Sequence, residues 1–155
     1  MNENEKLIHR LYSGLEEQDY ETMTSCYHPN AVFRDAVFDL KSKQEIAGMW
    51  TMLCKGAKEF EFHFDQVWAD EETGKARLKA KYLFSQTNRM VHNNINARFR
   101  FKDGLIIEHI DSFDFRKWSR QALGLQGFLL GWSSFLQKKV QQQALNNMKA
   151  YIPHR

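Results

Sequence analysis

The stretch Leu105-Ile106-Ile107-Glu108-His109-Ile110-Asp111-Ser112-Phe113-Asp114-Phe115 alternates as a strand does. Ile107, His109, Asp111, Phe113 and Phe115 fall on one face, and Glu108, Ile110, Ser112 and Asp114 on the other. A sheet packed against helices hides its apolar face, and this one holds an acid and an imidazole among Ile and Phe. A carboxylate there is costly unless it is hydrogen-bonded, paired or protonated. Desolvation raises its pKa toward the range that serves general acid/base chemistry. Asp111 is therefore the leading catalytic candidate, with His109 to orient it or share its proton. The pair also reads as a self-satisfied structural contact, since such networks perturb titration too. The opposite face would bury Glu108 and Asp114 instead, but it would push Phe113 and Phe115 outward. A second carboxylate, Asp35, follows Ala31-Val32-Phe33 and precedes another apolar stretch. Its plainer reading is a solvent-facing acid beside Arg34.

Other chemistries find little footing. The six histidines include no HxH or HxxxH pair, so no metal is expected. With no Gly-x-Ser-x-Gly elbow and no Gly-rich phosphate loop, no cofactor is expected either. The formal net charge is only +3, with acids interleaved among the bases, which argues against a nucleic-acid partner. Cys26 and Cys54 lie far apart and the start, Met1-Asn2-Glu3-Asn4-Glu5-Lys6, is polar. Reduced thiols in the cytoplasm are the expectation. No apolar run reaches the roughly 20 residues of a membrane span. The longest, Leu123 to Leu136, is broken by Gly and Ser, so membrane contact is not expected.

The elements that would hold these residues are legible as patterns. At 155 residues the chain fits one domain with a core of its own. Leu7, Ile8, Leu11, Tyr12 and Leu15 recur at helical spacing. Asp19 can cap a second short helix that must stop near His28-Pro29-Asn30. Ala31 to Phe38 reads as a strand or strand pair. Ser42-Lys43-Gln44-Glu45 is a capping box that opens a helix carrying Ile46, Met49, Trp50 and Leu53. Phe60, Phe62 and Phe64, then Ala76 to Phe84, then Ile95 to Phe101 alternate with polar residues, and tight turns join them to Leu105–Phe115. Such a run is an antiparallel meander, and helices followed by it make an α+β domain. Beyond it, Leu125, Phe128, Leu129, Trp132, Phe135, Leu136 and Val140 have helical spacing, and the chain then turns Gln- and Asn-rich.

Three stretches carry a resemblance: Leu15-Glu16-Glu17-Gln18-Asp19-Tyr20, Tyr27-His28-Pro29-Asn30-Ala31-Val32-Phe33-Arg34-Asp35, and Asp103-Gly104-Leu105-Ile106-Ile107-Glu108-His109-Ile110-Asp111. In this order they resemble the nuclear transport factor 2-like superfamily, which includes ketosteroid isomerase, limonene epoxide hydrolase and the SnoaL-like polyketide cyclases. The resemblance implies a cone-shaped, curved antiparallel sheet packed on N-terminal helices (a cystatin-like roll) over residues 1–117. A C-terminal helical extension would follow over 118–155. It also implies a pocket for a small apolar molecule and a homodimer through the outer sheet face. Asp35 falls where ketosteroid isomerase keeps its proton-shuttling Asp. The Tyr position of that enzyme holds Leu11, with Tyr12 beside it turned elsewhere, and its protonated-acid position holds Ala97. Missing oxyanion donors cost about a hundred- to a thousand-fold each. Asp111-Ser112-Phe113-Asp114 is similar to the last-strand acid motif of limonene epoxide hydrolase, but no Arg-x-Asp accompanies it. The SnoaL-like cyclases close an activated polyketide ring with the help mainly of one last-strand Asp, and Asp111 matches that position.

Two function classes follow. One is a pocket enzyme with Asp111 as general acid/base, Asp35 as second carboxylate, and Tyr12, Trp50, Phe99 and Phe113 as the apolar wall around a flat or cyclic substrate. The other is a non-catalytic binding or interaction module in which the tail residues Phe128, Leu129, Trp132, Phe135 and Leu136 do the work.

Overall fold

Asn2 starts the first helix: its side chain accepts from the Glu5 N–H at 2.8 Å and Glu5 returns a bond to the Asn2 N–H. The helix, α1 (Glu3–Glu16), buries Leu7, Ile8, Leu11, Tyr12 and Leu15. Asp19 caps α2 (Tyr20–Ser25), as its sequence context predicts. That helix ends before Pro29, and the proline lies inside β1 (Tyr27–Arg34), where pairing is irregular between Tyr27 and Val32. A residue without an N–H is tolerated at such a break. After the short β2 (Asp39–Leu40), Ser42 caps α3 (Lys43–Gly56). Only half of the capping box forms, because the Glu45 carboxylate takes the Lys41 N–H. The computed structural model describes residues 1–124 and 134–153, so Leu125, Phe128, Leu129 and Trp132 of the tail pattern lie outside the described residues.

Strands β3 (Glu61–Ala69), β4 (Thr73–Phe84), β5 (Arg89–Lys102) and β6 (Leu105–Ser112) form the expected meander. The sheet is curved and unclosed, ordered β2-β1-β6-β5-β4-β3, and antiparallel except where β1 lies parallel to β6. Alternation sends Ala76, Leu78, Ala97 and Phe99 to the core and leaves Lys75, Arg77, Lys79, Arg98 and Arg100 exposed outside. Helix α1 approaches closely at Gly74, where an added Cβ would stand 2.9 Å from both Ile8 Cδ1 and Phe101 Cζ.

Two breaks in the last strand correct the alternation. Phe99 pairs with His109 and Arg100 with Glu108, but Phe101 pairs with Ile106, so Ile107 is the extra residue of a bulge. The bulge shifts parity by one, and Ile106 rather than Ile107 is fully buried. The strand then stops at Ser112, because Asp114 accepts from the Lys117 N–H at 3.0 Å and caps α4 (Phe115–Leu123). Phe113 and Phe115 therefore leave the strand. They pack in a second apolar cluster with Val91, Trp118 and Ala122.

β5 runs beyond the end of β6, and α4 covers the bared edge. The Gln121 amide accepts from the His92 N–H at 2.7 Å and donates to the His92 carbonyl at 3.0 Å, as a neighbouring strand would. Helix α5 (Ser134–Lys149) spans both clusters: Val140 packs on the second, and Ala144, Leu145 and Met148 join the main core. Phe135 points outward and is 71% exposed. Among the described residues, no helix is long and apolar enough to cross a membrane.

Candidate functional site

His109 and Asp111 keep the shared face that alternation assigns them, since the bulge lies before them. His109 is fully buried, and its Nε2 is 2.8 Å from Asp111 Oδ1. The imidazole is boxed by aromatic rings, with Phe99 at 4.5 Å, Phe33 at 4.8 Å, Tyr27 at 6.1 Å and Trp50 at 6.5 Å between centroids. Its other nitrogen, Nδ1, is 2.8 Å from the Tyr27 hydroxyl, which also accepts from the Trp50 indole N–H at 3.1 Å.

This chain of bonds favours one placement of the protons. An indole N–H only donates. Tyr27 thus spends one lone pair on Trp50 and keeps its own proton available for His109 Nδ1. With that donation the imidazole proton sits on Nε2 and points at Asp111. The order Trp50, Tyr27, His109, Asp111 is a directed relay in a dry setting, where each bond polarises the next.

Tyr12 is not turned away from this relay, as its helix position suggested. Its hydroxyl is 3.5 Å from His109 Nε2 and fully buried. Burial first, and then the Asp111 charge, push its pKa well above that of a free tyrosine.

Asp35 approaches from β1. Asp35 directly follows Arg34, the last residue of β1, which pairs with Ile110, and it lies close enough to Asp111 for the two charges to act on each other. Its Oδ1 accepts from the N–H groups of Val37 and Phe38, both at 2.7 Å. Burial raises its pKa to about 6, and the Asp111 charge adds to the rise against the pull of those hydrogen bonds. The plain reading of Asp35 as a solvent-facing acid is corrected: it is half-buried and faces inward. Each carboxyl keeps one oxygen, Oδ2, without a hydrogen bond among the described residues.

Residues 8–109 match the SnoaL-like domain. The chain belongs to the SnoaL-like family. Its fold is that of the nuclear transport factor 2-like proteins. No curated protein matches the sequence. Among solved structures, an LEH-like epoxide hydrolase from M. tuberculosis superposes with a TM-score of 0.65 at 17% identity, covering 83% of this chain and 93% of that one. IdmH, a proposed polyketide cyclase from Streptomyces antibioticus, gives 0.65 at 19% identity, with 80% and 100% covered. A proposed SnoaL-like polyketide cyclase from Jannaschia sp. CCS1 gives 0.69 at 12%, with 79% and 92% covered. At such identities the likeness carries the fold and not the reaction.

In this SnoaL-like chain, Tyr12, Trp50 and Phe99 gather around His109, whereas Phe113 belongs to the second cluster. Tyr27, the relay's central hydroxyl, was legible only as part of the family resemblance, because the irregular pairing after it hides which way it faces. A second indole–phenol pair stands in the α4 cluster, where Trp118 donates to the Tyr82 hydroxyl at 2.7 Å. Burial raises the Tyr82 pKa, and the Asp35 charge contributes. A cavity of about 350 Å³ lined by Glu59, Phe60, Glu61, Lys81 and Met90 includes neither carboxylate of the site. No group of three metal-ligating side chains occurs among the described residues.

Proposed function

We propose that the chain is an acid/base catalyst acting on a small, apolar, cyclic substrate, with Asp111 as the group that takes and returns a carbon-bound proton. The observation that carries this reading is the open Oδ2 on each of two neighbouring inward-facing carboxyls. Asp111 Oδ1 is held by His109, and Asp35 Oδ1 by two backbone N–H groups. The relay from Trp50 keeps His109 from turning and holds Asp111 Oδ1 in place. Asp111 then accepts a proton from a carbon beside a carbonyl. Asp35, whose pKa of about 6 leaves part of it protonated near neutrality, gives one to the developing oxyanion. Reversing both transfers at a different carbon isomerises the substrate. Alternatively the enol carbon attacks a second carbonyl, Asp35 taking back the enol proton while Asp111 gives its proton to the new alkoxide, and a ring closes. Tyr12, Trp50 and Phe99 supply apolar surroundings suited to a flat ring system.

Exchange of α-protons for deuterium in a panel of flat cyclic ketones, 1-indanone and 2-tetralone among them, tests this by proton NMR in D2O. The expected result is exchange above buffer that Asp111→Asn lowers by at least about a hundredfold. Exchange no faster than buffer across the panel, or an unaffected Asp111→Asn variant, would sink the reading.

A non-catalytic ligand-binding module of the same fold is the second reading. It is favoured by the absence, among the described residues, of any buried side-chain polar atom without a partner, so the relay is already satisfied as a structural network. In either case we propose a homodimer through the outer sheet face.

A further inference from the structure

The C-terminal helix reaches the Asp35 turn through two side chains. Gln137 and Gln141 stand one turn apart on α5, and both donate Nε2–H to the carbonyl of Ala36, at 3.0 and 2.9 Å. A carbonyl oxygen offers two lone pairs, so two amides saturate it. Ala36 follows Asp35 directly, and the next two N–H groups are those that hold Asp35 Oδ1. The Asp35 N–H closes the turn on the Phe38 carbonyl at 2.9 Å. The backbone on which the carboxyl hangs is thus fixed from inside by its own turn and from outside by α5.

The remaining amides of the helix behave differently. Gln142 bonds Asn146 and Gln143 bonds Asn147, all four exposed, while Gln137 and Gln141 are half-buried on the inward face. The far end of the helix is anchored where Met148 enters the main core and where Gly48 of α3 admits Ile152, whose backbone N would lie 3.2 Å from an added Cβ. The helix is therefore placed independently of the two glutamine bonds.

We propose that Gln137 and Gln141 are positioning residues for Asp35. By holding Ala36, they keep the carboxyl half-buried on the side of Asp111. This rests on reading Asp35 as the second proton-transfer group. The charged and titratable groups that act on it are Asp111 and His109 of β6 and Tyr82 of β4.

The test is carbon-13 NMR titration of the Asp35 carboxyl in the full chain, comparing wild type with Gln137→Met/Gln141→Met and with each single variant. Methionine keeps the length and packing of glutamine but donates no hydrogen bond. The wild-type midpoint is expected at about 6. In the double variant it falls by about one pH unit or more as the released carboxyl gains water, and each single variant moves it partway. A wild-type midpoint in the ordinary carboxylate range overturns the proposal. So does an unchanged midpoint in the double variant or, should that variant not fold, in both single variants. Ketone exchange measured on the same samples keeps the two claims apart. A shifted Asp35 with no wild-type exchange supports the positioning role and removes the acid/base reading.

Discussion

Phe33 and His109 are register partners across the parallel β1–β6 pair, and their rings meet edge to face at 4.8 Å. That contact sets the phase of two strands at once. On β6 it turns Asp111 inward two residues later, and on the other side β1 delivers the chain to the turn that holds Asp35. Two carboxyls brought together in this way cannot both ionise without cost. Burial first, with the Asp111 charge adding to it, lifts the pKa of Asp35, the one without an imidazole partner, to about 6.

Replacing Asp35 by Asn should stabilise the protein in a pH-dependent way. The folded pKa of about 6 lies above the unfolded value of about 3.9, so the proton binds the folded chain more tightly. That stabilisation is full below about pH 4 and is lost as pH rises through about 6. Asn keeps an oxygen for the Val37 and Phe38 N–H groups and carries no charge. Asp35→Asn should therefore exceed wild type by about 1 to 3 kcal/mol at pH 8 and lose that advantage near pH 4. Urea unfolding at the two pH values checks it, and an equal difference at both would show that Asp35 titrates normally.

Tyr27→Phe removes the acceptor of the Trp50 indole and the donor to His109 Nδ1 in one step. A buried N–H left without a partner costs about 1 to 3 kcal/mol, so unfolding should shift by at least that much. Nitrogen-15 NMR provides the sharper check. His109 should carry its proton on Nε2 in wild type and lose that preference in the variant. A wild-type ring protonated mainly on Nδ1 would reverse the direction of the relay.

How far the sequence foretells this site depends on where the strands are regular. Helices α1, α2 and α3 are legible because cap residues and apolar periodicity agree. His109 and Asp111 are legible because they lie beyond the β6 bulge, whereas Ile107 sits in it and alternation puts it on the wrong face. Phe113 and Phe115 continue the alternation by chance. The Asp114 cap and the spacing of Trp118 and Ala122 were the competing helical signal, and local capping won. Gln137 and Gln141 could not be read as site residues, since their partner Ala36 lies a hundred residues away and is bonded through its backbone.

Gly74→Ala should be one of the more damaging small changes outside the site. The new Cβ would meet Ile8 Cδ1 and the Phe101 ring at 2.9 Å, wedging α1 from the sheet. Overpacking of this kind costs about 1 to 3 kcal/mol. Phe101→Leu should recover part of the loss, and a double-mutant cycle by chemical denaturation measures the coupling. Strict additivity of the two changes would place the clash elsewhere.

The outer sheet face sets a condition on any dimer that uses it. Lys75 lies opposite Arg98 across β4 and β5, with Arg77 and Lys79 beside them. A two-fold axis through this face brings like charges together, so added salt should relieve the repulsion. Sedimentation at about 50 mM and about 500 mM salt should show tighter association at the higher value. Dimerisation that weakens with salt would point to a different surface.

The side-chain amide of Gln121, bonded to both backbone groups of His92, has a consequence for where this chain tolerates being cut. Ending the polypeptide at Ser112 would leave the first half of β5 as an open strand with its hydrogen-bonding groups facing water. Open strands recruit strands from other molecules. The segment after the sheet thus acts as a guard against fibre-like stacking, and a protease that removed it would convert a discrete molecule into a seed for association.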